Sequence, residues 1–127
     1  IQARRTGTSS PPSARGRRSK EKGKRGELEV AHLLKEYGFT GRRGQQFKGG
    51  TDSPDVVCDM EGFHIEVKRT EGINVYEAVA QALRDRKPGE TPLVLHRRNG
   101  KPWLAVLYAD DLLRLLDEFV FEPRSKA

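Results

Sequence analysis

The chain has 127 residues, of which 35% are hydrophobic and 33% charged, with a formal net charge of +6. That length suits one domain with a single modest core, and the composition is polar for a compact fold. No apolar run approaches ~18 residues, so no membrane span is expected. The basic, Ser/Pro-rich leading stretch lacks the apolar segment of a secretory signal, and the lone cysteine, Cys58, excludes an internal disulfide and a cysteine zinc cluster.

Residues 1–26 hold nine Lys/Arg and one acid, a net +8, whereas residues 27–127 carry a net −2. Basicity therefore resides in the leading arm, and an arm of this kind points to a polyanion partner, nucleic acid above all. Residues 1–18 are rich in Gly, Ser, Pro and Arg without apolar periodicity, and are expected to be a disordered basic arm ahead of a domain over 19–127. From Ser19 the pattern turns helical, with Leu28, Ala31 and Leu34 on one face, Val30 and Leu33 beside them, and Gly38 as the stop. A short strand and turn follow in FTGRRGQQF, then a loop, KGGTDSP. DVVCDMEGFHIEVKRT reads as two strands around Met60-Glu61-Gly62. GINVYEAVAQALRDRKPG reads as a helix capped by Asn74, with Glu77 three residues on and an apolar face of Val75, Val79 and Leu83 flanked by Ala78 and Ala82. PLVLHRR and PWLAVLY are strands joined at Asn99-Gly100, a type I′ hairpin signal. ADDLLRLLDEF closes the chain as an amphipathic helix, with Asp110 the expected cap. The order α-β-β-β-α-β-β-α predicts an α/β fold, a mixed sheet flanked by helices.

Chemistry concentrates in HIEVK. Side chains alternate along a strand, so His64, Glu66 and Lys68 share one face while Ile65 and Val67 anchor the other in the core. Asp55 opens the preceding strand, where a hairpin partner would bring it beside Glu66. Two converging carboxylates repel unless a cation lies between them, and hard oxygen donors select Mg²⁺ or Mn²⁺. Lys68, one pleat away, would orient a water or stabilise charge on a phosphoryl oxygen. A Glu and a Lys two apart on a strand are commonly just a solvated polar face; the proline–aspartate pair, the Gly-rich loop and Glu27 on the first helix set this one apart.

These residues resemble a family. Pro54-Asp55, ten intervening residues and then Glu66-Val67-Lys68 are similar to the PD-(D/E)XK nuclease superfamily, with its restriction-endonuclease-like fold. The likeness sharpens toward Holliday junction resolvases of archaeal and phage type. Their first helix opens on a basic-Gly segment, carries a glutamate and ends at Gly-Phe. Here KGKRGELEVAHLLKEYGF supplies Lys22-Gly23, Glu27 and Gly38-Phe39. KGGTDSPD matches the loop before the first acid, and Gln81 the glutamine on the helix after the lysine strand. The resemblance covers roughly residues 20–108.

The resemblance implies a metal-dependent endonuclease that resolves four-way junctions, leaving a nick with a 5′-phosphate. Asp55 and Glu66 would be metal ligands for Mg²⁺, with Mn²⁺ as a substitute. The main-chain carbonyl of Val67 would add a third oxygen, and Glu27 would reach the metal directly or through water. Lys68 would position the attacking hydroxide, and Gln81 would support it or touch DNA. Asp52 is the competing acid in the loop, but Pro54 favours Asp55, and Asp59 reads as a turn residue. Glu29 stands about 200° around the helix from Glu27, so only one of them faces the metal; the choice of Glu27 rests on the resemblance. His64 reads as a surface or internally satisfied histidine. Phosphate contacts are expected from Lys22, Lys24, Arg25, Arg42, Arg43, Lys48 and Arg69, with Arg97, Arg98 and Lys101 an ambiguous second patch. The resemblance further implies a homodimer, because a symmetric cut needs two sites, and a cytoplasmic setting in a bacterial, archaeal or phage-infected cell. PWLAVLY and LLRLLDEF are either its dimer surface or ordinary core, with Trp103 an anchor in one or the other. Two rivals stay open: a nuclease of the same fold acting on other DNA in repair or restriction, and a non-catalytic nucleic-acid-binding module.

Overall fold

The computed structural model describes residues 14–44, 55–58 and 62–120. The leading residues 1–13, the loop carrying Lys48, Asp52 and Pro54, and Asp59 with Met60 and Glu61 lie outside the described residues. The element order is α1 (Ala14–Glu36), β1 (Gly41–Arg43), β2 (Val56–Cys58), β3 (Phe63–Arg69), α2 (Val75–Asp85), β4 (Thr91–Arg97), β5 (Leu104–Val106) and α3 (Ala109–Leu115), with one π-helical turn over Leu116–Val120. This is the α-β-β-β-α-β-β-α order expected from the sequence.

The five strands form one sheet in chain order, β1-β2-β3-β4-β5. Neighbours are antiparallel except β3 and β4, which run parallel over their full lengths. A parallel neighbour requires a crossover, and α2 is that crossover. Helices then cover both faces. On one side Val30 of α1 meets Val56, Ile65, Val67 and Leu93, with Leu34, Phe63, Leu95, Trp103 and Leu107 packed around them. On the other, Ala78, Val79 and Ala82 of α2 meet Val94, flanked by Ile73 and Val106. Trp103 is thus a core anchor. Ile65 and Val67 point to α1 as the alternation of β3 requires.

Local signals account for most boundaries. Asn74 caps α2, its side chain accepting a 3.1 Å bond from the Glu77 N–H. Gly38 ends the turn after α1 at φ +94°, a conformation that glycine adopts at little cost. Several expectations need correcting. The helix begins at Ala14, inside the stretch read as a disordered arm over 1–18. Leu28, expected in the core, is 50% exposed, because α1 turns Val30 and Ala31 to the sheet instead. Val75 and Leu83 lie at the margin of the α2 interface, whose centre is the small Ala78, Val79 and Ala82. The Asn99-Gly100 turn is no two-residue hairpin: pairing resumes only at His96 with Leu104, although the Lys101 N–H does close a turn onto the Arg98 carbonyl at 3.1 Å. α3 is preceded by Tyr108, not capped by Asp110, which falls in its first turn. Among the described residues, no helix is long and apolar enough to cross a membrane.

Candidate active site

The pairing of β2 with β3 sets Val56 opposite Ile65. One step back along that antiparallel register, Asp55 lies opposite Glu66, where facing side chains are close enough to interact. Asp55 is fixed by its backbone. Its N–H donates to the Ile65 carbonyl at 3.0 Å, and its own carbonyl accepts from the Gly44 N–H at 2.8 Å. Its carboxylate Oδ2 accepts a 2.7 Å bond from the Val67 N–H. In an extended strand the carbonyl of a residue points to the same side as its N–H. The Val67 carbonyl, expected as an oxygen donor, therefore faces the edge where Asp55 stands.

The electrostatics of this pair are unfavourable as they stand. Burial, the Glu66 carboxylate and, more weakly, Glu27 push the Asp55 pKa up to about 7, against the lowering effect of the Val67 N–H. Glu66 is itself buried, at 4% exposure, on the α2 side of β3. Near neutral pH a proton thus sits where a cation would relieve the same conflict. Two converging carboxyl groups and a carbonyl are hard oxygen donors that fit a divalent ion of the Mg²⁺ class, which Asp55, Glu66 and the Val67 carbonyl would hold.

The third acid is placed differently from expectation. Among the described residues no three His, Cys, Asp or Glu side chains form a converged metal cluster. Glu27 lies close enough for Asp55 to feel its charge, but its carboxylate is held by Arg43 Nε at 2.5 Å. The carboxylate of Glu27, expected to reach the metal directly or through water, is thus paired here with an arginine of the neighbouring strand. α1 nevertheless comes very near. A Cβ on Gly26 would stand 2.6 Å from the Arg69 Cβ, so only glycine lets the helix lie this close to β3 at the residue before Glu27.

Lys68 shares the β3 face of Glu66, and its ammonium donates to Gln81 Oε1 of α2 at 3.0 Å. Gln81 thus aims the lysine. His64, read from sequence as a surface or satisfied residue, is satisfied and almost wholly buried, at 1% exposure. Its Nε2 lies 2.6 Å from Glu66 Oε2, an imidazole N–H donating to the carboxylate. Burial lowers the His64 pKa, but the hydrogen bond and charge of Glu66 outweigh it and leave it raised.

The expected phosphate contacts divide. Lys24, Arg25 and Arg42 are exposed. Lys22 reaches Glu71 at 3.4 Å, and Arg43 is shared with Glu27. Arg69 is a correction: its side chain is only 9% exposed, lies 3.4 Å from Glu29 and donates to Asn99 Oδ1 at 2.8 Å. It braces the fold and is not presented to a backbone phosphate. Glu29, the alternative to Glu27, is held by Arg97 at 2.9 Å as well as by Arg69, well away from the carboxylate pair in function. Sequence reasoning missed Gly26, whose signal was a glycine inside a helical pattern, and undervalued His64, whose signal was its shared parity with Glu66. A cleft of about 740 Å³ lined by Phe39, Phe63, Thr91, Arg114 and Phe119 contains none of these groups.

Known proteins sharpen the reading. The family model described as archaeal Holliday junction resolvase (Hjc) matches residues 18–124, most of the chain. Among solved structures, the chain is similar to Hjc of Archaeoglobus fulgidus, a Holliday junction resolvase from an archaeal hyperthermophile. The identity is 20%, with 65% of this chain and 74% of that chain covered and a TM-score of 0.46. A search of curated proteins gave no match. The matched span contains Glu27, Asp55, Glu66, Lys68 and Gln81, and with the α-β-β-β-α-β-β-α fold that carries them it leads to one conclusion: the chain belongs to the archaeal Holliday junction resolvase family, of the PD-(D/E)XK nuclease type.

Proposed function

We propose that the protein is a divalent-metal-dependent endonuclease that cuts four-way DNA junctions by phosphodiester hydrolysis, leaving a 5′-phosphate. The observation that carries this is the opposition of half-buried Asp55 and buried Glu66 at the β2–β3 pairing, with Lys68 on the same strand face.

Each group has a task set by its surroundings. Asp55 and Glu66, with the Val67 carbonyl, would hold the ion, and His64 fixes one Glu66 oxygen in place. A bound Mg²⁺ supplies Lewis-acid polarisation of the phosphoryl oxygen and acidifies the attacking water. Lys68, steadied by Gln81, stabilises charge developing on the phosphoryl group and orients the attacking water. Glu27, masked by Arg43, reaches the site only if a phosphate draws that guanidinium away; Arg43 then serves as both lock and phosphate contact. Lys22, Lys24 and Arg25, which precede Glu27 on α1, and Arg42, beside Arg43 on β1, would neutralise the DNA backbone, as would Lys48, which lies outside the described residues.

A homodimer completes the reading. β5 is an edge strand, and Leu104, Leu112, Leu113 and Phe119 are exposed on it and on the closing helix. An apolar face next to a strand that ends the sheet among the described residues suits a second copy, and two copies give the two cuts a symmetric junction needs.

The test is a synthetic four-way junction incubated with Mg²⁺ or with EDTA, and the cuts mapped. Symmetric cuts that require Mg²⁺ and spare linear duplex support the proposal. Equal cutting of linear duplex moves the protein to repair or restriction chemistry. Junction binding without cleavage under Mg²⁺ or Mn²⁺ makes it a binding module.

A further inference from the structure

The turn after β4 is built more firmly than an exposed loop requires. Asn99 at its tip is held twice: its N–H donates to Glu71 Oε2 at 2.8 Å, and its Oδ1 accepts from Arg69 at 2.8 Å. Glu71 also takes the Lys22 ammonium of α1, and Arg69 stands beside Glu29, which pairs with Arg97. Arg97 in turn donates to the Lys101 carbonyl across the base of the turn. α1, the segment after β3, and the turn are thereby locked to one another. The two cations this leaves outward, Arg98 and Lys101, are exposed.

The position of the turn matters as much as its rigidity. Lys68 lies opposite His96 in the parallel β3–β4 pair. Arg98 follows two residues later, so its Cα stands about 8 Å from that of Lys68, from strand rise and spacing. Cations carried on a turn fixed at that range can meet a phosphate close to the one being cut, and fixing the turn beforehand removes part of the entropic cost of binding.

We infer that the Arg98–Lys101 turn is a preorganised phosphate-binding site for the DNA backbone flanking the scissile bond. Resting on the nuclease reading above, this assigns the ambiguous second patch a position-specific role. The turn contributes to substrate binding and leaves the chemical step to the carboxylate pair.

The experiment measures junction binding in EDTA over a KCl series, and cleavage with Mg²⁺, for the full chain. The variants are Arg98→Ala/Lys101→Ala and a charge-matched control, Lys35→Ala/Lys87→Ala, whose residues lie toward the opposite end of the sheet. Each phosphate contact contributes roughly 0.9 to the slope of log affinity against log salt. The turn variant is expected to lose about 10-fold in affinity and between about 1 and 2 in slope, with turnover at saturating junction within about twofold of wild type. The control should keep the wild-type slope. Asn99→Ala, which keeps both charges, should weaken binding by about threefold with the slope retained, as expected for lost preorganisation. A turn variant indistinguishable from the control overturns the inference, and so does an Asn99→Ala protein with unchanged affinity. A wild-type protein that neither binds nor cuts the junction instead overturns the nuclease reading.

Discussion

Two groups of carboxylates flank strand β3, and their surroundings are opposite. Glu29 sits between Arg69 and Arg97, at 3.4 and 2.9 Å, with a cation on each side. Asp55 faces Glu66 with Glu27 nearby, and its pKa climbs to about 7 because burial and these neighbours disfavour its charge. The first cluster is finished: it ties a helix to a strand and a turn. In the second, His64 meets Glu66 and Arg43 meets Glu27, but burial and the neighbouring carboxylates still press on Asp55. A carboxylate pushed toward its protonated form beside a second buried carboxylate is where the proposed cation would bind, whereas Glu29 already has its cations.

Breaking the second cluster should have the largest effect. Asp55→Ala or Glu66→Ala is expected to reduce junction cleavage to background while binding persists, read by cleavage kinetics beside a gel-shift titration. Lys68→Ala should slow turnover by roughly 10²–10⁴-fold, the range for a lost general acid–base or charge-stabilising group. Its junction affinity should change far less; a pure affinity loss would make Lys68 a phosphate clamp. His64→Ala should lower Mn²⁺ affinity by about 10–100-fold, the usual cost of losing a group that orients a metal ligand, with His64→Gln recovering part of it.

Breaking the finished cluster should cost stability instead. Glu29→Ala leaves Arg69 and Arg97 uncompensated, and is expected to lower unfolding free energy by about 1–3 kcal/mol in urea melts. Turnover of the folded fraction should be unchanged.

The mildest effect comes from pH. The folded pKa of Asp55, about 7, lies above its ordinary value of 3.8. Between those values the native state keeps a proton that the unfolded chain has released. The stabilisation is full below the ordinary value and is lost as pH rises to about 7. His64, also raised, acts in the same direction. In EDTA the melting temperature should therefore fall between pH 5 and pH 8, and Asp55→Asn should flatten much of that fall.

Much of this was legible in the sequence because it depends on local rules. Alternation in HIEVK put Glu66 and Lys68 on one face and Ile65 and Val67 in the core, and the structure agrees. Asn74 and Gly38 announced their caps by residue type. What sequence could not show depends on contacts between distant segments. The pairing of Glu27 with Arg43 is set by how α1 lies over β1, which no periodicity encodes. The burial of Arg69 follows from Gly26 and Glu29 on the same helix, so a cation that looked like a phosphate contact is a brace. Exposure of Leu28 reflects the rotation of α1 about its axis, which its apolar residues define only loosely. The loop between β1 and β2 supplies Asp52 and Lys48, and both lie outside the described residues.

The Asp55–Glu66 pair is proposed to bind a divalent cation in place of the proton that Asp55 keeps up to about pH 7. Calorimetric titration of the protein with Mn²⁺ at pH 6.5, in buffers of different ionisation enthalpy, tests it directly. One saturable site is expected, its filling releasing about one proton, with both binding and release lost in Asp55→Asn. Binding that survives in Asp55→Asn, or that proceeds without proton release, would contradict it.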